Sequence, residues 1–130
     1  MGITHLWDTN VAIYYLQQQF PPNAEVFIDS VIQESTPAIS AITEIELLSW
    51  KSATTKDIVT LQNFISDSWI FELDQPVKAM AAEIRRKHAI KLADAVIAAT
   101  ALVFDLKLLT RNIEDFNKID KLEIINPWNQ

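Results

Sequence analysis

The chain has 130 residues, a formal net charge of −6, one glycine and no cysteine, and 49% of its residues are hydrophobic. The lack of cysteine excludes disulfides, zinc–cysteine sites and a cysteine nucleophile, and it fits a reducing cytoplasm. A single glycine excludes the glycine-rich loops that cradle phosphates in many nucleotide-binding proteins.

The spacing of apolar residues predicts strands that alternate with helices along the chain. The predicted strands are Ile3–Trp7, Pro37–Ala41, Trp69–Leu73, Lys107–Thr110 and Glu123–Ile125. The predicted helices are Val11–Gln18, Ala24–Glu34, Thr43–Trp50, one from a Thr54 or Thr55 cap to about Ser66, Pro76–His88, Leu92–Phe104 and a short helix or turn at Asn112–Asn117. This order indicates a single α/β domain over residues 1–130, with three α/β/α layers around a mainly parallel sheet of about five strands.

No element of this chain is expected to enter a membrane. The N-terminus shows no secretory pattern. The longest apolar run, Leu92–Phe104, is too short to span a bilayer, and Asp94 interrupts it. We therefore expect a cytoplasmic protein.

Four acidic residues, Asp8, Glu46, Asp94 and Asp115, each lie near the beginning or end of an apolar element. Asp94 is the least ordinary of them, since it is the only charged residue in Leu92–Phe104. An unpaired buried charge costs several kcal/mol or forces protonation. A metal ion shared with other carboxylates would compensate that cost, and this predicts a metal-dependent enzyme acting on phosphate esters.

The predicted topology can bring these carboxylates together. Ligands of open parallel sheets bind beyond the carboxyl ends of the strands. Asp8 follows the first strand, Glu46 lies in the helix after the second, and Asp115 follows the fourth. Taken singly, Asp8, Asp94 and Asp115 also suit helix or turn capping and Glu46 a solvated helix face, so the prediction rests on the four together.

The charge distribution leaves the question of nucleic-acid binding open. A net charge of −6 argues against it, because affinity for nucleic acids comes largely from phosphate neutralisation. However, five of the eleven basic residues fall within Lys78–Lys91. The run alone is better interpreted as a solvated helix face, and a basic patch beside a metal site is the alternative.

Four segments in order resemble the motifs of the PIN domain family. They are Leu6-Trp7-Asp8-Thr9-Asn10, Ser40–Leu47 with its acidic residue at Glu46, Lys91–Ala99 centred on Asp94, and Leu109–Phe116, followed by a closing Asn126-Pro127-Trp128. Each motif alone is weak, but four in order over matching elements are specific. The resemblance covers essentially the whole chain, at the usual length of the VapC-like toxins of bacteria.

The resemblance implies an endoribonuclease toxin that uses Mg²⁺ or Mn²⁺, is inhibited by a VapB-like antitoxin and forms a homodimer. Asp8 and Asp94 are then expected to bind the metal directly. Glu46 would bind it or orient the attacking water, and Asp115 would bind through water or hold a second ion. Hydrogen bonds to these ligands or to phosphate are expected from Thr9, Asn10, Thr43, Thr110, Arg111 and Asn112.

The resemblance leaves the roles of two positions, Asn112 and Arg111, open. The first acidic position of the fourth motif, often Asp in the family, is Asn112 here. Either Asp115 supplies the fourth carboxylate, or Asn112 acts as a neutral ligand or holds a water. Arg111 can contact phosphate or neutralise the acidic cluster, and we favour neutralisation.

Two other functions compete with a ribonuclease. A degenerate PIN-like module would bind only RNA or the antitoxin, and Asn112 leaves this open. A phosphatase or phosphoacceptor domain is also α/β with an acidic residue after its first strand. That chemistry commonly needs a second Asp two places along or an adjacent acidic pair, whereas Asn10 and Trp7 occupy those positions here.

A partner helix could dock on apolar residues in 11–16 and 26–32, although these residues also suit a core.

Overall fold

The computed structural model describes residues 2–130. Its strands are β1 (His5–Trp7), β2 (Ala38–Ser40), β3 (Trp69–Phe71), β4 (Lys107–Leu109) and β5 (Ile124–Ile125). Its helices are α1 (Thr9–Leu16), α2 (Pro22–Glu34), α3 (Ala41–Leu48), α4 (Thr55–Asp67), α5 (Gln75–Lys87), α6 (Leu92–Val103) and α7 (Ile113–Phe116), with a 3₁₀ turn at Pro127–Asn129. The predicted alternation of strands and helices is confirmed.

All paired strands are parallel. β4 pairs with both β1 and β5, and β2 pairs with β3. The two groups of strands meet where β1 lies beside β2. Just before these strands, the backbone N–H of Thr36 donates to the carbonyl of Gly2 at 3.1 Å. The five strands therefore form a central parallel layer, as the sequence predicts.

Two hydrophobic cores lie on opposite faces of this layer. Successive residues of a strand point to opposite faces. Leu6 and Leu108 accordingly belong to one core, whereas the next residues, Trp7 and Leu109, belong to the other. Helices α5 and α6 supply the first core, and α1, α2 and α4 supply the second. The predicted three-layer α/β/α fold is confirmed.

Three helices begin two residues earlier than predicted, and the strands differ in length. α1 begins at Thr9 rather than Val11, since the Asp8 carboxylate accepts the Thr9 N–H. α3 begins at Ala41 rather than Thr43, since Ser40 accepts the Thr43 N–H. α2 begins at Pro22, two residues earlier than predicted, because proline suits a first helical turn. The strands are shorter than predicted, at two or three residues each.

The residues in 11–16 and 26–32 that were considered for partner docking lie mostly in the core. Val11, Leu16, Ile28 and Val31 are buried against the sheet, and Val26 alone of the two segments is a large, strongly exposed apolar residue. Across residues 2–130 we find no helix with the length and apolar character needed to cross a membrane.

Candidate active site

Asp8 lies where β1 ends, and its carboxylate is almost fully buried, with 6% of the residue exposed. One oxygen, Oδ1, accepts the Thr9 N–H at 2.8 Å. The other, Oδ2, accepts the hydroxyl of Thr110 at 2.7 Å. Because β1 and β4 are paired in parallel, their carboxyl ends place Asp8 and Thr110 side by side. Asp8 therefore acts as a helix cap, and it also belongs to a wider polar network.

Thr9 connects this network to α3. Its hydroxyl lies 2.6 Å from Glu46 Oε1, to which it donates, and 3.0 Å from the Thr43 hydroxyl. Thr43 is buried, and its backbone N–H donates to Ser40 Oγ at 3.1 Å. The cap of α3 thus fixes Thr43, and Thr43 and Thr9 together bring Glu46 towards the end of β1.

Asn112 connects the network to Asp115. The Asn112 backbone N–H donates to Thr110 Oγ1 at 3.0 Å, and its side-chain amide donates to Asp115 Oδ2 at 2.8 Å. Asp115 lies in the single turn of α7 and is half-buried. A continuous path of hydrogen bonds therefore runs from Asp8 through Thr110 and Asn112 to Asp115.

Asp94 lies in the first turn of α6, half-buried beside the apolar residues that follow it. Lys91 is the N-cap residue of this helix, and its side chain forms no capping hydrogen bond. Asp94 is therefore not the N-cap residue. Burial raises the pKa of Asp94, and the negative charges of Asp115 and Glu46 raise it further, while Lys91 lowers it. Capping therefore does not explain this carboxylate.

The pKa of Asp8 is also raised by burial and by neighbouring negative charges. Burial is the largest cause that raises its pKa, and the charges of Asp94 and Glu46 add to it. The hydrogen bonds from Thr110 and Thr9 oppose this rise by stabilising the charged form. The predicted acidic residues thus interact electrostatically at the carboxyl edge of the sheet.

The donor set of this pocket fits a hard divalent cation. It consists of carboxylate, hydroxyl and amide oxygens with no histidine, which suits Mg²⁺ or Mn²⁺ better than zinc. Burial is the main cause that raises the pKa of Asp8 and of Asp94, and a bound cation would relieve the repulsion between carboxylates that adds to it. Over residues 2–130, however, no three His, Asp or Glu side chains converge closely enough to form a metal-binding group. Three of the four carboxylates instead have separate hydrogen-bond partners.

Two predicted residues lie outside the network. Asn10 is exposed in the first turn of α1, and no hydrogen bond within the described chain joins its side chain to the carboxylates. Arg111 forms no ion pair with the acidic cluster in residues 2–130. Its guanidinium donates to the Tyr14 hydroxyl at 3.2 Å and lies over the rings of Tyr14 and Trp128.

Ser40 is part of the network but was missed as a site residue. Its hydroxyl lies 3.4 Å from that of Thr43, in addition to capping α3. The spacing Ser40–Thr43, directly after a predicted strand, is a helix-start signal that could have identified it. The contacts of Arg111 with Tyr14 and Trp128 had no comparable signal, because they join distant segments.

The fold and this pocket define a class: small α/β proteins with an acidic pocket at the carboxyl edge of a parallel sheet. The family model for the PIN domain matches residues 6–122. The chain belongs to the PIN domain family. Comparison with curated proteins gives no match.

Several solved structures share this fold. FitAcB from Neisseria gonorrhoeae is 31% identical with a TM-score of 0.81, and the match covers 98% of this chain and 100% of that one. A toxin–antitoxin complex from Klebsiella pneumoniae is 26% identical, with a TM-score of 0.70 and coverages of 95% and 98%. VapBC2 from Rickettsia felis, bound to a DNA fragment from its promoter, is 23% identical, with a TM-score of 0.80 and the same coverages. At that identity the last likeness shows the fold alone.

Proposed function

We propose that this protein is the toxin of a toxin–antitoxin pair and acts as a Mg²⁺- or Mn²⁺-dependent endoribonuclease. The observation that carries the proposal is the hydrogen-bonded network that brings Asp8, Glu46 and Asp115 to one edge of the sheet, with Asp94 close enough for its charge to raise the pKa of Asp8 after the larger effect of burial. Membership of the PIN family and the likeness to FitAcB support it.

In this proposal Asp8, Asp94, Glu46 and Asp115 hold the cation. When bound, the cation lowers the pKa of water and stabilises negative charge on the attacked phosphate. Thr110 and the Thr9 N–H fix both oxygens of Asp8, so this carboxylate is oriented before metal and RNA bind. Glu46, held by Thr9, is placed to orient the water that attacks phosphorus. Attack by water adds oxygen to phosphorus and expels the 3′ oxygen, leaving a 5′-phosphate and a 3′-hydroxyl.

We propose a VapB-like antitoxin as the protein partner. The support is an apolar surface on adjacent helices α3 and α4, formed by Ile45, Leu48, Ile58 and Val59, all exposed. Contiguous exposed apolar residues commonly mark interaction sites, and an amphipathic helix of a partner suits such a surface. Glu46 lies on the same helix as Ile45 and Leu48, so a segment bound there would also reach the acidic pocket.

A homodimer and a cytoplasmic location remain part of the proposal. At the edge strand β3 the residue Trp69 is exposed, and Phe71 packs on Phe104 with ring centroids 4.4 Å apart. This apolar edge is the surface that we expect a second copy to cover. Sedimentation of the protein and of a Trp69→Glu variant would test it.

The proposed activity is tested by cleavage of a labelled structured RNA by the purified protein. We expect cutting with Mg²⁺ or Mn²⁺, none with EDTA, and none by Asp8→Asn purified identically. Asp29→Asn is a matched control, because Asp29 is exposed on α2 away from the pocket. Cutting that persists in Asp8→Asn at the wild-type rate would show that the observed cleavage does not come from this carboxylate pocket.

A catalytically degenerate module is the second candidate. It is favoured by Asn112 in the fourth motif and by the lack of a converged metal-binding group in residues 2–130. Such a module should bind RNA or antitoxin but not Mn²⁺. Calorimetric titration with Mn²⁺ separates the candidates, since the nuclease requires binding that Asp8→Asn or Asp94→Asn weakens. Membership of the PIN family leaves no support for the phosphatase alternative.

A further inference from the structure

Arg111 lies between two residues of the acidic network. Thr110 before it donates to Asp8, and Asn112 after it donates to Asp115. The Arg111 side chain is exposed, so it stands at the surface beside the pocket rather than within it. A polymer bound over Asp8 and Asp115 would therefore pass the chain segment that carries Arg111.

Aromatic side chains hold the guanidinium in place. Its central carbon lies 4.8 Å from the ring centroid of Trp128 and 5.8 Å from that of Tyr14. Tyr14 and Trp128 pack edge to face with centroids 5.0 Å apart, and Phe20 packs on Trp128 at 5.2 Å. Contacts of this kind attract a cation to the ring face and limit its motion.

The C-terminal turn that carries Trp128 is itself anchored. The Trp128 backbone N–H donates to Asn126 Oδ1 at 2.9 Å. The Asn23 side-chain amide donates to the Trp128 backbone carbonyl at 2.8 Å. The turn is thus tied to α2, and the position of Arg111 depends on residues distant in sequence.

Within residues 2–130, no carboxylate forms an ion pair with Arg111. The only ion pair in the part of the chain that the structure describes joins Lys87 to Glu83 on α5. A guanidinium has five N–H donors, and here one of them is used by the Tyr14 hydroxyl. The remaining donors suit the bidentate recognition of a phosphate group.

We propose that Arg111 binds a backbone phosphate of the RNA next to the scissile one, and that Trp128 is a positioning residue that holds Arg111 there. This inference rests on the proposed function. A pocket of four carboxylates repels RNA, so a fixed cation at its rim offsets that repulsion where the strand enters. Arg111 would act on binding of the strand, whereas the carboxylates act on the chemical step.

The test compares Arg111→Gln with Lys107→Gln, a matched loss of one positive charge. Lys107 is exposed at the amino end of β4, the edge of the sheet opposite Asp8. We expect Arg111→Gln to raise the KM for RNA cleavage about tenfold with little change in kcat, in line with a lost charge-assisted hydrogen bond. Lys107→Gln should change neither value.

Salt dependence provides a readout that a merely structural role would not change. Binding of a single-stranded RNA oligonucleotide is measured by fluorescence anisotropy in EDTA at several KCl concentrations. Loss of one phosphate contact should reduce the slope of log K against log salt by about 0.7. Arg111→Lys should keep most of that slope, since it keeps the charge.

Trp128 is tested in the same assays. Trp128→Phe, which keeps a ring beneath the guanidinium, should resemble the wild type. Trp128→Ala should raise KM, and the double change Trp128→Ala with Arg111→Gln should raise it no further than Arg111→Gln alone. Melting curves identify any loss of folding in Trp128→Ala, and the Arg111 variants decide the proposal in that case.

The outcomes separate the two proposals. If the wild type neither cuts nor binds RNA, the proposed function fails. If the wild type cuts and binds but Arg111→Gln leaves both KM and the salt slope unchanged, the inference about Arg111 is wrong and the nuclease stands. A loss of kcat without a change in KM would also overturn it, because Arg111 would then act at the reacting atoms.

Discussion

The Thr110 hydroxyl donates to Asp8 Oδ2 at 2.7 Å and, at the same time, accepts the Asn112 N–H at 3.0 Å. Thr110 is fully buried and Asp8 is nearly so, which means that the carboxylate oxygen loses a partner inside the core if the hydroxyl is removed. This one side chain therefore joins the end of β1 to the segment that carries Asp115.

Replacing Thr110 with valine should destabilise the fold and reduce activity. The change preserves shape but leaves a buried carboxylate oxygen of Asp8 and the N–H of the half-buried Asn112 without this partner, at a cost of about 1–3 kcal/mol in the free energy of unfolding. Urea denaturation measures that cost. Thr100→Val is the matched control, because Thr100 is equally buried but its hydroxyl contacts only the Val96 carbonyl within α6. An equal effect in both variants would contradict the special role of Thr110.

Replacing Asp8 with asparagine should stabilise the metal-free protein at neutral pH. Burial and neighbouring carboxylates raise the pKa of Asp8 in the folded state above its unfolded value. A carboxyl of this kind favours the folded state most at pH values below its unfolded pKa, and that advantage is lost as the pH rises through the folded pKa. Asparagine carries no charge, so the variant does not lose stability in this way as the pH rises.

The measurement is the melting temperature in EDTA from about pH 4 to about pH 8, the range in which raised carboxyl pKa values act. We expect the wild type to lose stability relative to Asp8→Asn as the pH rises, whereas Asp29→Asn should follow the wild type. Mn²⁺ should reverse the order by stabilising the wild type only. Activity of Asp8→Asn should fall more than about 100-fold, because losing even an outer partner of a metal ligand costs 10–100-fold.

The fold was largely predictable from the sequence, and the exact element ends were not. The alternation of strands and helices follows from apolar periodicity, which is local information. The first residue of α1 depends on Asp8, which caps a helix and binds Thr110 from β4 at once. Such double use of one side chain is not visible in a local pattern.

The candidate site was predictable as a set of residues but not as a network. Motif order brought out Asp8, Glu46, Asp94 and Asp115. In the structure, burial raises the pKa of Asp8 most, and the charges of Asp94 and Glu46 raise it further. The bonds from Thr9 to Glu46 and from Asn112 to Asp115 depend on side-chain orientation, which spacing does not determine. The binding of metal by these residues remains a prediction.

Replacing Asn112 with aspartate tests how the fourth motif completes the pocket. The Asn112 amide donates to Asp115 Oδ2 at 2.8 Å, and this hydrogen bond stabilises the negative charge of Asp115. Aspartate would instead repel Asp115. We expect Asn112→Asp to lower the melting temperature in EDTA and to bind Mn²⁺ more tightly, by roughly tenfold for one added close carboxylate.

Calorimetric titration and melting curves measure both effects, with Asn117→Asp as the control at an exposed position just after α7. Unchanged Mn²⁺ affinity in Asn112→Asp would place position 112 outside the metal site. Asp115→Asn should act in the opposite direction and weaken both Mn²⁺ binding and cleavage.

Replacing Leu48 with glutamate tests the surface proposed for the antitoxin. Leu48 is 61% exposed on α3, so the change should leave the fold and RNA cleavage intact while placing a charge within an apolar interface. Val26→Glu is the matched control, because Val26 is 71% exposed on α2 and lies outside that surface. Affinity for a co-expressed VapB-like antitoxin, measured by titration of the purified partners, should fall by more than about tenfold for Leu48→Glu, equivalent to about 1.4 kcal/mol. Equal binding by both variants would move the antitoxin site away from α3 and α4, whereas loss of RNA cleavage in Leu48→Glu would show that this surface also serves the substrate.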